Sequence, residues 1–153
     1  MKITVLWVGR ARDPSFLALQ EEYARRIRGY CDLKLVAVKS SGRPEAALAM
    51  EAEAVQLMSQ VQSADTVVAL DAAGTLHSSE GFARFLSTQM ERPVKNLLFL
   101  IGGSFGLSSK VKTRADYILS LSRLTFSHEL ARVLLLEQVY RAFTLLHHHP
   151  YHK

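Results

Sequence analysis

Residues 95–103 read KNLLFLIGG, apolar without a break from Leu97 to Ile101 and ending in a glycine pair. A run this short, closed by a turn signal, reads as a buried strand rather than a helix. It is the fourth such segment. KITVLWVG (2–9), LKLVAV (33–38) and TVVALD (66–71) precede it, and DYILSLS (116–122) follows. Helical runs separate them. Asp13 is a good N-cap with Pro14 at the first helical position. Phe16, Leu19, Tyr23 and Ile27 then recur at helical spacing until Gly29. The turn SSGRPE (40–45) leads into PEAALAMEAEAVQLMSQV (44–61), which is built from helix formers. SSEGFARFLSTQM (78–90) is a helix capped by Ser78 or Ser79, and a further helix is expected after IGGSFGLSS (101–109). SHELARVLLLEQVYRAFTLL (127–146) is the last and longest, with Ser127 as its cap. Strand alternating with helix predicts an α/β fold on a mainly parallel sheet. With 153 residues and no linker, repeat or low-complexity tract, residues 1–153 are expected to form a single domain.

The composition narrows the class. No apolar run reaches the ~18 to 20 residues needed to cross a bilayer, and the apolar opening is too short for a signal peptide. The only cysteine is Cys31, which suits a reducing, cytoplasmic setting and excludes an internal disulfide. A net charge of +5 favours polyanionic partners through counterion release, although a merely basic surface gives the same number.

The last helix is apolar over most of its circumference. Glu137, Gln138, Arg141 and Thr144 fall on one side, and Leu130, Val133 to Leu136, Val139, Ala142, Phe143 and Leu146 cover most of the rest. A helix on one sheet face needs a narrower stripe, so a second buried side, against a partner subunit, is expected. Arg132 stands alone in the apolar arc. It must find a carboxylate, a backbone carbonyl or a ligand, or else extend to solvent.

In parallel sheets, ligands bind beyond the carboxyl ends of the strands. Those ends carry LDAAG (70–74), LIGGSFG (100–106) and LSLSRLTFSH (119–128). The glycine loop is neither a dinucleotide fingerprint nor a phosphate-binding P-loop. No nucleophile elbow is present, and His128 and Glu137, nine residues apart on one helix, do not face each other. The terminal HHHPYHK (147–153) holds four of the six histidines. A metal site there is disfavoured, since Pro150 breaks the helix between His148 and His152 and no cysteine lies nearby.

LIGGSFGL, LSLSRLTFSHELARVLLLEQVYRAF and the terminal PYHK together resemble the RlmH-type methyltransferases, small members of the SPOUT class in the α/β-knot superfamily. The resemblance runs the length of the chain and is most specific over 97–153. It implies a parallel sheet with helices on both faces and a C-terminal trefoil knot, which ordinary topological rules would exclude. It further implies S-adenosylmethionine as cofactor, and as substrate N3 of a pseudouridine in a stem-loop of 23S ribosomal RNA within the ribosome. A homodimer with composite sites is implied, with no metal and no membrane. By position, Leu70, Gly102, Gly103, Leu121, Ser122, Arg123, Leu124, Thr125 and Phe126 are the implied cofactor loops. Apolar Leu70, Leu124 and Phe126 would flank the adenine. The N3 proton must be lost before or during attack. Candidates for the chemistry are His128, Glu137, Arg141, Tyr151 and His152. His152 or His128 is a possible base, and Tyr151 a partner for the target base. Glu137 and Arg141, four apart, equally suit a helix-face ion pair. His147 to His149 depart from the family's usual residues and have no assigned role. Arg10, Arg12, Lys110, Lys112 and Arg114 are candidate RNA contacts. A catalytically inactive RNA-binding module, or a nucleotide-dependent enzyme of another class, remains an alternative.

Overall fold

The computed structural model describes residues 1–93 and 96–152; the side chain of His152 lies outside the described residues, as do Val94, Lys95 and Lys153. Five parallel strands, β1 (Lys2–Val8), β2 (Asp32–Val38), β3 (Asp65–Leu76), β4 (Asn96–Ile101) and β5 (Tyr117–Ser120), lie in the order β2-β1-β4-β3-β5. Between and after them run α1 (Pro14–Ile27), α2 (Ala46–Met58), α3 (Ser79–Glu91), α4 (Ser109–Arg114) and α5 (His128–Leu146).

The two-residue period of β4 divides its side chains between two cores. Leu97, Phe99 and Ile101 join one with α1, α3 and α5. Leu98 and Leu100 join the other with α2 and Val111 of α4. Helices therefore cover both faces, and the central strand is apolar from Leu97 to Ile101 because neither side meets water.

The helix starts follow the expected capping. Asp13 accepts from Ser15 N with Pro14 behind it, Ser78 accepts from Gly81 N, and Ser127 accepts from Leu130 N. Strand limits differ more. β3 runs to Leu76 instead of ending at residue 71, because residues 71–74 bulge out and both Leu70 and Thr75 pair with Leu119. Gly74 permits this: a Cβ there would lie 2.6 Å from the Ile118 carbonyl oxygen. β5 is correspondingly shorter than the SLS-containing run predicted.

α5 also departs from expectation. It lies between α1 and α3 on one sheet face, so neighbours in its own chain cover both apolar flanks. Its width therefore does not by itself call for a partner subunit. Thr144, placed on the polar side by the helical projection, is fully buried, and its hydroxyl donates to the Arg141 carbonyl at 2.7 Å.

Candidate active site

A cavity of about 650 Å³ opens beyond the carboxyl ends of β3, β4 and β5, within the size range of small-molecule sites. Three loops build it. The β3 bulge supplies Leu70, Asp71 and Ala72; the loop after β4 supplies Gly102 to Gly106; the loop after β5 and the first turn of α5 supply Leu121, Ser122, Leu124 to His128, and Ala131.

Each wall is braced from within. Gly103 and Gly106 form an isolated antiparallel bridge, with Gly106 N donating to Gly103 O at 3.0 Å. A Cβ on Gly102 would lie 2.4 Å from the Gly106 carbonyl carbon, so the turn closes only around a glycine. Lys112 pairs with Asp71, and that contact holds the Asp71 carboxyl below the usual carboxylate range. Arg123 points away from the cavity and donates to the carbonyls of Ala72 and Gly74, the latter at 2.9 Å. Ser120 Oγ donates to Ala72 O and also lies 2.9 Å from Ser122 O. The third loop is thus tied to the first.

Eight of the nine residues expected to hold a cofactor line this cavity: Leu70, Gly102, Gly103, Leu121, Ser122, Leu124, Thr125 and Phe126. Arg123 instead braces the wall. His128 lines it too. Burial, followed by the Arg132 cation, lowers the His128 pKa, which leaves the imidazole neutral at pH 7 and able to accept a proton.

Glu137, Arg141 and Tyr151 form a second cluster elsewhere. Arg141 donates to Glu137 Oε1 through Nε (3.0 Å) and Nη2 (2.7 Å), so the helix-face ion pair is present. The Tyr151 hydroxyl donates to the same oxygen at 3.2 Å and lies 3.4 Å from the Tyr23 hydroxyl. The Arg141 guanidinium covers the Tyr151 ring at 5.0 Å. Burial, then Tyr23 and Glu137, pushes the Tyr151 phenol up, so it remains a donor. At 1.5 Å per residue, Arg141 stands about 20 Å along α5 from His128. α5 runs antiparallel to the strands, so in one chain this cluster and the cavity sit at opposite ends of the sheet.

The three preceding histidines terminate α5. His148 takes a positive φ of 54°, and His149 N reaches back to Thr144 O at 2.8 Å. His149 Nδ1 lies 2.6 Å from the Tyr30 hydroxyl, and the His147 ring packs on Tyr30 at 5.0 Å. Of the candidate RNA contacts, Lys112 is held by Asp71. Arg114 reaches the Gln62 and Asp65 carbonyls at the amino end of β3, away from the cavity.

Two buried groups were not singled out as cavity residues by their sequence positions. Glu53 of α2 is 5% exposed, and its Oε2 has no hydrogen-bond partner among the described residues. Arg132 was conspicuous for its burial alone. It is fully buried over the Trp7 ring at 5.0 Å and donates to the Val8 carbonyl at 2.6 Å, a backbone carbonyl as anticipated, while Nε and Nη1 have no partner among the described residues.

Residues 1–152 match the family model described as "Predicted SPOUT methyltransferase". Two similar proteins are named ribosomal RNA large subunit methyltransferase H. That of Clostridium kluyveri is 36% identical and that of Clostridium acetobutylicum 39%, each over 159 residues and 100% of both chains. A probable methylase family protein from Haemophilus influenzae Rd KW20 shares the fold at a TM-score of 0.52 and 16% identity, across 95% of this chain and 66% of that one. A full-length match to the family, together with relatives above one-third identity end to end, establishes that this chain belongs to the SPOUT methyltransferase family.

Proposed function

We propose that this protein transfers the methyl group of S-adenosylmethionine to N3 of a pseudouridine in 23S ribosomal RNA of the assembled ribosome. Residues 1–153 work as one domain in the cytoplasm. The carrying observation is the end-to-end likeness to two large-subunit ribosomal RNA methyltransferases, in a chain whose cavity sits where parallel sheets bind ligands. The cavity suits the cofactor: glycine backbone and hydroxyls meet its polar edges, and Leu70, Leu124 and Phe126 offer apolar contact for adenine. When bound, S-adenosylmethionine supplies an electrophilic methyl on a sulfonium. The protein's part is to align the base nitrogen with that methyl, exclude water and accept the N3 proton. Neutral His128 lines the cavity and serves as acceptor in this reading. Arg123, from the loop after β5, reaches the Ala72 and Gly74 carbonyls of the β3 bulge, a tie between distant segments that supports the trefoil knot expected of this class.

The tail also takes part, from a second subunit. Glu137 and Arg141 stand about 14 and about 20 Å along α5 from His128 of their own chain's cavity, and Tyr151 and His152 follow the far end of that helix. A dimer that sets one protomer's tail against its partner's cavity supplies the missing polar side of the site. Exposed Phe105 (47%) and Leu124 (74%) on the cavity rim are suitable apolar contacts for that arrangement.

Calorimetry with S-adenosylmethionine, followed by radiolabelled methyl transfer to ribosomes, tests the reading. Binding with ribosome-dependent transfer is expected, and loss of transfer in a chain ending at Pro150. No cofactor binding would overturn the proposal, and full activity of the shortened chain would overturn the role of the tail. Mixing tail-less protomers with cavity-defective ones should restore activity if the sites are composite.

A further inference from the structure

The cavity lining offers the cofactor few charges. Of its ionisable side chains, Asp71 is engaged by Lys112 and His128 is neutral at pH 7. S-adenosylmethionine nevertheless ends in an α-ammonium and an α-carboxylate, and both need partners once removed from water. Two buried groups with unpaired atoms stand nearby among the described residues: Glu53, against Gly103, and Arg132, over Trp7 and on the Val8 carbonyl.

Glu53 uses Oε1 to accept from Ser40 Oγ and Ser41 N, both at 3.2 Å. Its Oε2, without a partner, lies against Gly103, where a Cβ would come within 2.8 Å of it. Gly103 lines the cavity, so the carboxylate lies next to a lining residue, although Glu53 itself is not part of the lining. On the neighbouring side, Arg132 leaves Nε and Nη1 unpaired and sits one turn after His128 on α5. Ser40, which donates to Glu53, and Arg132 Nη2 both border Gly9, each 3.9 Å from the position a Cβ there would take. A carboxylate oxygen and two guanidinium N–H groups, buried and unmatched, make a costly arrangement for structure alone. They match the two ends of an amino-acid zwitterion.

Resting on the methyltransferase reading above, we propose that Glu53 and Arg132 read the amino-acid end of the cofactor, Glu53 taking its α-ammonium and Arg132 its α-carboxylate. The missing Gly103 side chain leaves space beside its Cα through which the ammonium can reach Glu53 Oε2. The apolar loop residues hold the adenosine, and this pair distinguishes a complete cofactor from adenosine derivatives without the amino acid.

Calorimetry on the full-length protein gives the test, with four probes: S-adenosylmethionine, S-adenosylhomocysteine, decarboxylated S-adenosylmethionine and 5′-methylthioadenosine. The wild type should bind 5′-methylthioadenosine and the decarboxylated cofactor at least about tenfold more weakly than the compounds with the whole amino acid. Glu53→Gln, which keeps an acceptor for Ser40 and Ser41, should weaken S-adenosylhomocysteine by about tenfold and leave 5′-methylthioadenosine within about twofold. Arg132→Lys should remove most of the preference for S-adenosylmethionine over its decarboxylated form. The wild-type comparison decides the matter if a variant does not fold. Equal binding of all four probes by the wild type, or equal weakening of all four by Glu53→Gln, overturns the assignment. If the wild type binds none of them, the methyltransferase reading itself fails, a result distinct from either.

Discussion

Replacing Gly102 by alanine should disable the cavity while leaving the fold standing. A Cβ there would lie 2.4 Å from the Gly106 carbonyl carbon, 2.5 Å from its oxygen and 2.9 Å from its Cα. Ordinary carbon–carbon contact begins near ~3.5 Å, so Gly106 must retreat by about 1 Å. Every clashing atom is backbone, and no side chain can swing aside. Gly106 is also tied to Gly103 by a 3.0 Å hydrogen bond at a φ of 81°, so the turn moves as a unit or breaks. Overpacking of this kind costs about 1–3 kcal/mol. For a chain this long, each kcal/mol lowers the melting midpoint by about 2–4 °C. Function should suffer more, because a displacement of ~1 Å among positioning groups can cost about a hundredfold in rate. Calorimetry should show S-adenosylmethionine binding weakened at least about tenfold, which is about 1.4 kcal/mol. Gly29→Ala, at the far end of the sheet with its nearest contact at 3.3 Å, should leave binding unchanged. Wild-type affinity in Gly102→Ala would refute the claim that the closed glycine turn shapes the cavity.

Arg123→Ala removes the links to Ala72 and Gly74. For an exposed side chain the loss should be about 1 kcal/mol, seen as a fall of about 2–4 °C in melting; an unchanged midpoint would deny that Arg123 braces the β3 bulge. Burial pushes the Cys31 thiol up to about 11 from 9.0, so alkylation by iodoacetamide at pH 8 should run about a hundredfold slower than for free cysteine, and a rate near the free thiol's would contradict that burial. The lowered pKa of His128 means that the unfolded chain binds more protons as the pH drops. Its contribution to stability is therefore complete above the unfolded value near ~6.5 and is lost as pH falls through the folded one. Melting curves from pH 7.5 to 5 should diverge between wild type and His128→Asn, and parallel curves would reject the shift.

The chain's local chemistry determined a large part of this structure. Uninterrupted apolar runs such as LLFLI marked strands that are buried on both faces. Asp13, Ser78 and Ser127 marked helix starts, because an N-cap is a bond between residues two or three apart. The cavity-lining loops were legible for the same reason: parallel strands place their carboxyl ends together, so three Gly- and Ser-rich strand ends had to meet. Tertiary structure decided whatever depends on residues far apart in the chain. Nothing in MEAEAV separates exposed Glu51 from Glu53, whose partners are Ser40 and Ser41 of the loop after β2 and whose free oxygen rests on Gly103. The breadth of α5 was read as two buried flanks, the second against a partner subunit, whereas packing places α1 and α3 of the same chain beside it. His147, His148 and His149 look like a metal tract in sequence; the turn at the end of α5 and the Tyr30 ring, more than a hundred residues upstream, give them a structural place. Separation of the tail cluster from the cavity likewise follows from α5 running antiparallel to the strands. Periodicity reports which face of an element is buried, whereas the identity of what covers it depends on long-range topology.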